Sequence, residues 1–290
     1  MSIKNVSFIG LGVMGYPMAG HLQKNGYNVT VFNRTDSKAN KWVEEYGGQM
    51  GKTPNEACLN AEIVFMCVGR DEDIIEVMEG NNGILSSAKG GLTIVDHTTA
   101  SAEIARTYFT KLQGKNISFL DAPVSGGQAG AENGVLSIML GGEKKVFEVV
   151  RPVLESYGKA IELIGPSGSG QIAKMINQIC IAGLVQGLSE GMAFGKKANV
   201  DMEKVLSVIS KGAAQSWQMV NRYRTMLDGK FDYGFAVDWM RKDLSICFNE
   251  AKKNGASLPV TEIVDKYYEE VQKNGGNRLD TSSLMTLVDK

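Results

Sequence analysis

Between Val6 and Ile164, short apolar runs alternate with segments whose apolar residues recur at helical spacing. The runs Val6–Ile9, Val29–Phe32, Ile63–Val68, Thr93–Val95, Ser118–Leu120 and Ser137–Leu140 are rich in β-branched and aromatic residues and read as strands. Tyr16–Asn25 and Ser37–Tyr46, lying between the early runs, read as helices. Strands alternating with helices imply βαβ units and a mostly parallel, doubly wound sheet. The run Ile63-Val64-Phe65-Met66-Cys67-Val68 has no polar alternation, as expected of a strand covered on both faces.

After Gly165-Pro166-Ser167-Gly168-Ser169-Gly170 the texture changes and strand-like runs almost vanish. Gln171 to Lys197 reads as one long helix, apolar on all sides and so expected to be buried between two bodies. Val200–Lys211, Trp217–Leu227, Phe235–Asn254 and Val260–Asn274 follow with helical spacing. The expected layout is an α/β domain over residues 1–165 and an all-α domain over 166–290, joined by the long helix. No internal repeat is apparent.

Composition narrows the function. The chain has 290 residues, 43% hydrophobic and 22% charged, so it can bury a core and is not a disordered chain. Its 31 Lys and Arg face 32 Asp and Glu, which leaves no basic excess for a general nucleic-acid binder. Cys58, Cys67, Cys180 and Cys247 form no C-x-x-C pair, and with only His21 and His97 no zinc-site spacing appears, so no metal is expected. Met1-Ser2-Ile3-Lys4 leads straight into a strand without a signal-peptide pattern. Ile179–Phe194 is interrupted by Gln186, Ser189 and Glu190 and falls short of the roughly 20 apolar residues of a membrane span. The expected location is the cytoplasm.

Gly10-Leu11-Gly12-Val13-Met14-Gly15 is G-x-G-x-x-G between a strand and a helix. In that setting the first glycine allows a tight turn and the second lets backbone approach a pyrophosphate. The third lets helix and strand pack closely, and the new helix offers its N–H groups to phosphate. A plain strand-to-helix turn is the competing account, and position and context favour a dinucleotide in a Rossmann-type domain. All six residues are expected at the cofactor, as is Val68 at the end of the run Ile63–Val68. The following strand ends at Asn33-Arg34-Thr35, with Lys38 one turn on. An acidic residue here would bind the ribose hydroxyls of NAD and repel a 2′-phosphate. Neutral Asn33 and Thr35 with cationic Arg34 and Lys38 instead favour NADP(H) over NAD(H), against the nearby Asp36.

Asp121-Ala122-Pro123-Val124-Ser125-Gly126-Gly127 offers a hydroxyl and unobstructed backbone N–H groups just after a strand. That suits either a carboxylate or a simple tight turn. Lys174, Asn177 and Gln178 put an amine and two amides on one face of the long helix. Lys174 reads either as a proton shuttle in a cleft or as a snorkelling surface lysine. Arg222, Arg224 and Arg241 read as a solvated helix face, and Trp217 and Trp239 as helical core.

Together these pieces resemble the β-hydroxyacid dehydrogenase family, which includes 3-hydroxyisobutyrate dehydrogenase, tartronate semialdehyde reductase and the glyoxylate/succinic semialdehyde reductases. The resemblance spans nearly the whole chain: Gly10–Gly15 with Met18, Asp96–Thr99, Asp121–Gly130, Gly168–Asn177 and Lys242-Asp243-Leu244. It implies that Ser125, Gly126 and Gly127 bind a substrate carboxylate and that Lys174 is the general acid/base. It further implies that Lys242 lies near the nicotinamide, that Thr99 touches the cofactor, and that Phe235 and Asp243 border the substrate. The family's substrate-holding asparagine, four residues after the lysine, is Gln178 here, with Asn177 one position earlier.

The implied activity is hydride transfer between nicotinamide and a small β-hydroxy acid or its semialdehyde, in a homodimer or homotetramer. The rival readings are a reductase of imines or bulkier carbonyls on the same scaffold, and a coenzyme-binding sensor without turnover. By the resemblance Lys174 argues against the imine version, and intact Ser125, Lys174 and Lys242 argue against the sensor.

Overall fold

The computed structural model describes residues 3–289, so the reading of Met1 and Ser2 as a lead into the first strand lies outside the described residues. The chain divides into two compact units, the first ending at Lys174 and the second beginning at Met175.

The first unit opens with β1 (Asn5–Ile9), α1 (Gly15–Lys24), β2 (Asn28–Phe32), α2 (Asp36–Tyr46), β3 (Gln49–Met50) and α3 (Pro54–Cys58). There follow β4 (Ile63–Met66), α4 (Asp71–Glu79), β5 (Thr93–Asp96), α5 (Ala102–Gln113) and β6 (Ser118–Asp121). The rest is β7 (Val124–Ser125), α6 (Gly127–Glu132), β8 (Leu136–Gly141), α7 (Lys144–Leu154), β9 (Gly158–Gly165) and the start of α8 (Ser169–Lys197). The strands form one sheet in the order β3-β2-β1-β4-β5-β6-β8-β7, with β9 beside β8. Pairing is parallel from β3 through β6, while β8 runs antiparallel to β6 and β7.

The pleat sends alternate side chains to opposite faces. Phe8, Val31, Phe65 and Val95 pack with Met18 and Leu22 of α1 and Trp42 of α2. Ile9, Val64, Met66 and Ile94 pack with Ile74 and Met78 of α4 and Tyr108 and Leu112 of α5. These side chains are buried, and each contributes about 1.5–3 kcal/mol. The doubly wound, mostly parallel sheet read from the sequence is therefore present. β3 and β7 are too short to carry a period. β9, with Lys159 and Glu162 exposed, lacks the apolar run of a buried strand.

The second unit takes up α8 and adds α9 (Met202–Ile209), α10 (Trp217–Leu227), α11 (Val237–Asn254), α12 (Pro259–Lys273) and the short α13 (Met285–Val288). Ala182 and Val185 of α8 pack with Val237, Met240 and Leu244 of α11 and Val264 and Tyr268 of α12. One turn on, Leu188 and Met192 pack with Leu206, Met219 and Met226. The all-round burial expected of α8 is not found. Ile176, Leu184 and Phe194 are 58%, 46% and 78% exposed, because one face alone meets its neighbours. The helix is also longer than the segment Ile179–Phe194 weighed in the sequence. By length and composition it passes as a membrane span, although 44% of its most apolar window is buried inside the protein.

Candidate active site

The glycine loop joins β1 to α1 against the end of β4. Gly10 has φ +96°, and a Cβ there would lie 2.3 Å from the Cys67 carbonyl oxygen. At Gly15 a Cβ would lie 2.0 Å from the Gly10 carbonyl oxygen and 2.8 Å from the Phe8 ring. The chain itself demands those two glycines. A Cβ at Gly12 would meet nothing within 4 Å. The middle glycine thus faces open space, the room a pyrophosphate needs to reach the backbone. α1 starts without a side-chain cap and without an acidic residue in its first turn. Its N-terminal field is therefore unopposed by a nearby acid of its own.

Asn33 Oδ1 accepts from the Leu11 N–H at 2.9 Å, and Asn33 Nδ2 donates to the Thr35 carbonyl at 3.1 Å. Asn33 therefore braces the glycine loop through its oxygen and its own turn through its nitrogen, where the sequence suggested a donor for a 2′-phosphate. The Arg34 side chain is 92% exposed and lies 3.6 Å from Asp73 of α4. Lys38 and Asp36 are exposed in the first turn of α2. Val13 is exposed, and Met14 is half-buried at the helix start.

The ends of β4 and β5 are tied by a residue the sequence reading passed over. Thr98 Oγ1 accepts from the Val68 N–H at 3.0 Å, and the Thr98 N–H donates to Asp96 Oδ1 at 2.9 Å. Thr99, half-buried, follows. Burial pushes the Asp96 carboxyl up to about 7, against the Thr98 hydrogen bonds that favour its ionised form; the Asp121 charge adds to the rise. His97 points into the core, with Nδ1 2.6 Å from the Ala122 carbonyl and Nε2 2.8 Å from the Tyr157 hydroxyl. A carbonyl can only accept, so Nδ1 carries the proton and Nε2 accepts from Tyr157. Burial lowers the His97 pKa to about 4, so this is a neutral packing residue.

Asp121, at the end of β6, anchors the helix that bears Lys174. Its Oδ1 accepts from the Gly168 N–H at 2.7 Å and its Oδ2 from the Gln171 N–H at 3.0 Å, the open donors at the start of α8. A Cβ at Gly170 would lie 2.8 Å from Asp121 Oδ2, and one at Gly141 2.6 Å from Oδ1, so both glycines make room for the carboxylate. The Gln171 side chain accepts from the Ala100 N–H at 3.0 Å and donates to the Thr98 carbonyl at 2.7 Å. Lys174 follows within one turn and is 7% exposed, not the snorkelling surface lysine of the alternative reading. Burial raises the Asp121 pKa and these backbone donors hold it down.

The Ser125 segment is more than a turn. Val124 and Ser125 pair with Ile138 and Ser137 of β8. Gly126 and Gly127 follow at φ +134° and +61°, and a Cβ at Gly127 would meet nothing within 4 Å. Two cavities of this unit, about 340 and about 150 Å³, include Ile63, Thr93 and Ser118, the first residues of β4, β5 and β6. That is the opposite edge of the sheet from the glycine loop, and no candidate residue lines them.

In the second unit four candidate residues join in one chain of contacts. Asn177 Nδ2 donates to Gln178 Oε1 at 2.7 Å, and Gln178 Nε2 donates to Asp243 Oδ2 at 2.6 Å. Asp243 Oδ1 lies 3.0 Å from Lys242 Nζ, which sits 5.7 Å from the centre of the Trp239 ring. Gln178 and Asp243 are each 2% exposed. The Phe235 N–H donates to Asp280 Oδ2 at 2.9 Å, and its side chain packs against the cluster of Val237, Met240 and Leu244.

The arginines part company. Arg224 is exposed as expected. Arg222 lies between the Trp217 and Tyr233 rings, each 5.0 Å away, and pairs with buried Asp280. Arg241 pairs with Asp265 through two nitrogens and bonds Gln272, tying α11 to α12. Trp217 is 45% exposed and so is not core. Among the described residues no cluster of His, Cys, Asp and Glu could hold a metal ion.

Residues 5–165 match the family model for the NAD-binding domain of 6-phosphogluconate dehydrogenase. Residues 168–288 match the NAD-binding model of NADP-dependent 3-hydroxyisobutyrate dehydrogenase. The chain belongs to the β-hydroxyacid dehydrogenase family. It is 58% identical over 285 residues to an uncharacterized oxidoreductase of Shewanella frigidimarina, covering 98% of both chains. It is 34% identical to the 2-hydroxy-3-oxopropionate reductase of Escherichia coli, covering 98% of this chain and 97% of that one. Its fold matches the Mycobacterium tuberculosis 3-hydroxyisobutyrate dehydrogenase solved with L-serine, at TM-score 0.88 and 25% identity over 100% of both chains. The β-hydroxyacid dehydrogenase fold, an NAD(P)-binding sheet domain followed by a helical part, is the architecture described above. As a family member the chain is an oxidoreductase that uses a nicotinamide coenzyme.

Proposed function

We propose that this enzyme interconverts a small β-hydroxy acid and its semialdehyde, with NADP(H) preferred and Lys174 as the general acid/base. The observation that carries the proposal is the anchoring of α8. Asp121 and Gln171 tie the first turn of that helix to the ends of β5 and β6, on the sheet edge where Gly12 opens onto free space. Lys174, buried on the same helix, is held within a turn of that anchor.

When bound, the nicotinamide coenzyme supplies or accepts the hydride. The Gly10–Gly15 backbone and the start of α1 hold its pyrophosphate, and Val68 and Thr99 flank it. Ser125 and the N–H groups of Gly126 and Gly127 take the substrate carboxylate. Lys174, as an ammonium, gives a proton to the carbonyl oxygen during reduction, and as an amine removes it from the hydroxyl during oxidation. Lys242, Asp243, Phe235 and Asn177 or Gln178 complete the substrate surroundings.

NADP preference rests on Arg34 and Lys38, with Thr35, since Asn33 is engaged with the Leu11 N–H and the Thr35 carbonyl. Residues 1–165 bind coenzyme, residues 166–290 serve substrate and self-association as a homodimer or homotetramer, and the working compartment is the cytoplasm. The test is NADPH and NADH consumption across glyoxylate and short semialdehydes, with Lys174→Ala as control. Activity on one member, stronger with NADPH and lost in the variant, supports the reading. Coenzyme binding with no turnover in either direction overturns it.

A further inference from the structure

We propose that Gln178 is a positioning residue that holds the Asp243 carboxylate, and through it the Lys242 ammonium. The inference rests on the reading of Lys174 and Lys242 as working lysines. Its ground is a directional chain of hydrogen bonds. A carboxylate beside a side-chain amide must face its NH₂ group, which fixes Gln178 with Nε2 on Asp243 Oδ2 at 2.6 Å. The Gln178 carbonyl then points back and accepts from Asn177 Nδ2 at 2.7 Å. Both ends of the Gln178 amide are engaged inside the protein, at 2% exposure, so it is not placed to hold a ligand.

The extra methylene of glutamine explains the residue at this position. An asparagine at 178 would draw its amide back by about 1.5 Å. That opens the bond to Asp243 beyond hydrogen-bonding range. Asp243, 2% exposed, would then keep Lys242 at 3.0 Å as its charge partner but lose the second donor that directs the carboxylate. The shift would pass to Lys242, whose ammonium meets Asp243 Oδ1 at 3.0 Å.

The test moves the methylene across the bond. Gln178→Asn and Asp243→Glu, each alone, are expected to lower kcat/KM about tenfold or more, and the double variant to recover most of that loss. Gln178→Glu keeps the shape but removes the donor, and is expected to behave like Gln178→Asn. A readout free of substrate and coenzyme runs beside these. Trp239 emission, taken as the difference from the same variants carrying Trp239→Phe, shifts in the single variants and returns in the double.

Full activity in Gln178→Asn, or losses that simply multiply in the double variant, overturns the proposal. If the parent protein reduces no substrate, the functional reading fails by itself. The emission arm still decides this one: recovery in the double supports the relay, and its absence overturns it.

Discussion

Two buried aspartates hold the long helix, and they are held in opposite ways. In the first unit Asp121 is met by backbone N–H groups of Gly168 and Gln171. In the second, Asp243 is met by the side chains of Gln178 and Lys242. Backbone donors are supplied by conformation, so the first anchor depends on where glycines stand: Gly141 and Gly170 leave the carboxylate its space. Side-chain donors depend on residue identity and length, so the second anchor changes with a single methylene. At these two anchors the first unit thus uses backbone donors and the second uses side chains.

Lys174→Ala tests whether the anchors serve one end. Turnover should fall by about 10²–10⁴-fold with coenzyme affinity nearly unchanged, read by initial rates and by fluorescence titration of NADPH. If rates persist, the anchored helix has no catalytic purpose and the comparison loses its meaning.

The first unit's side of the contrast is sharpened by comparing two glycines. Gly15→Ala places a methyl against the Gly10 carbonyl and should cost about 3 kcal/mol in denaturant unfolding. Gly12→Ala meets nothing in the protein and should leave stability nearly unchanged while weakening coenzyme binding. Equal loss of stability in both would contradict the assignment of Gly12 to a ligand.

Charge gives a third contrast. Asp243 has Lys242 beside it, whereas Asp96 in the first unit is buried with other carboxylates near it. Its folded pKa of about 7 lies above the ordinary 3.8. Its contribution to stability is therefore complete at pH below the unfolded value and is lost as pH rises through the folded one. Asp96→Asn removes that slope. Measured by urea unfolding, its stability relative to the parent should improve by about 2–3 kcal/mol from about pH 5 to about pH 8. A constant difference across that range would mean the carboxyl is ionised throughout.

The smallest effect is expected where the first unit presents an exposed side chain. Arg34→Ala should weaken NADPH about tenfold while leaving NADH nearly unchanged, by titration of both coenzymes. Equal losses would remove Arg34 from the coenzyme preference and leave Lys38 and Thr35 to account for it.

Much of the fold was legible because its signals are local. The core strands β1, β2, β4, β5 and β6 announce themselves as short runs rich in β-branched and aromatic residues. Trp217–Leu227 coincides with α10, and the other helical readings differ from the observed helices by a few residues at their ends. The glycine loop was legible for the same reason, since conformation at Gly10 and close packing at Gly15 leave a residue type behind. Isolated two-residue strands leave none. The long helix was legible as a helix but not in its burial, because apolar composition on every side does not say which side meets a neighbour.

Local spacing was enough to specify a dinucleotide-type loop on a mostly parallel sheet, a helical second half, and a lysine with amides on one helix face. These follow from spacing along one segment, where neighbours in sequence are neighbours in space. Only the tertiary structure decided what each polar side chain does with its hydrogen bonds. Asn33 braces the glycine loop, His97 packs in the core, and Arg222 stacks between two rings. Asp121 caps a helix that begins far along the chain, and Gln178 meets Asp243 on another helix. A buried polar group must find a partner, but the rule names no distance in sequence, so the partner is known only when the chain is folded.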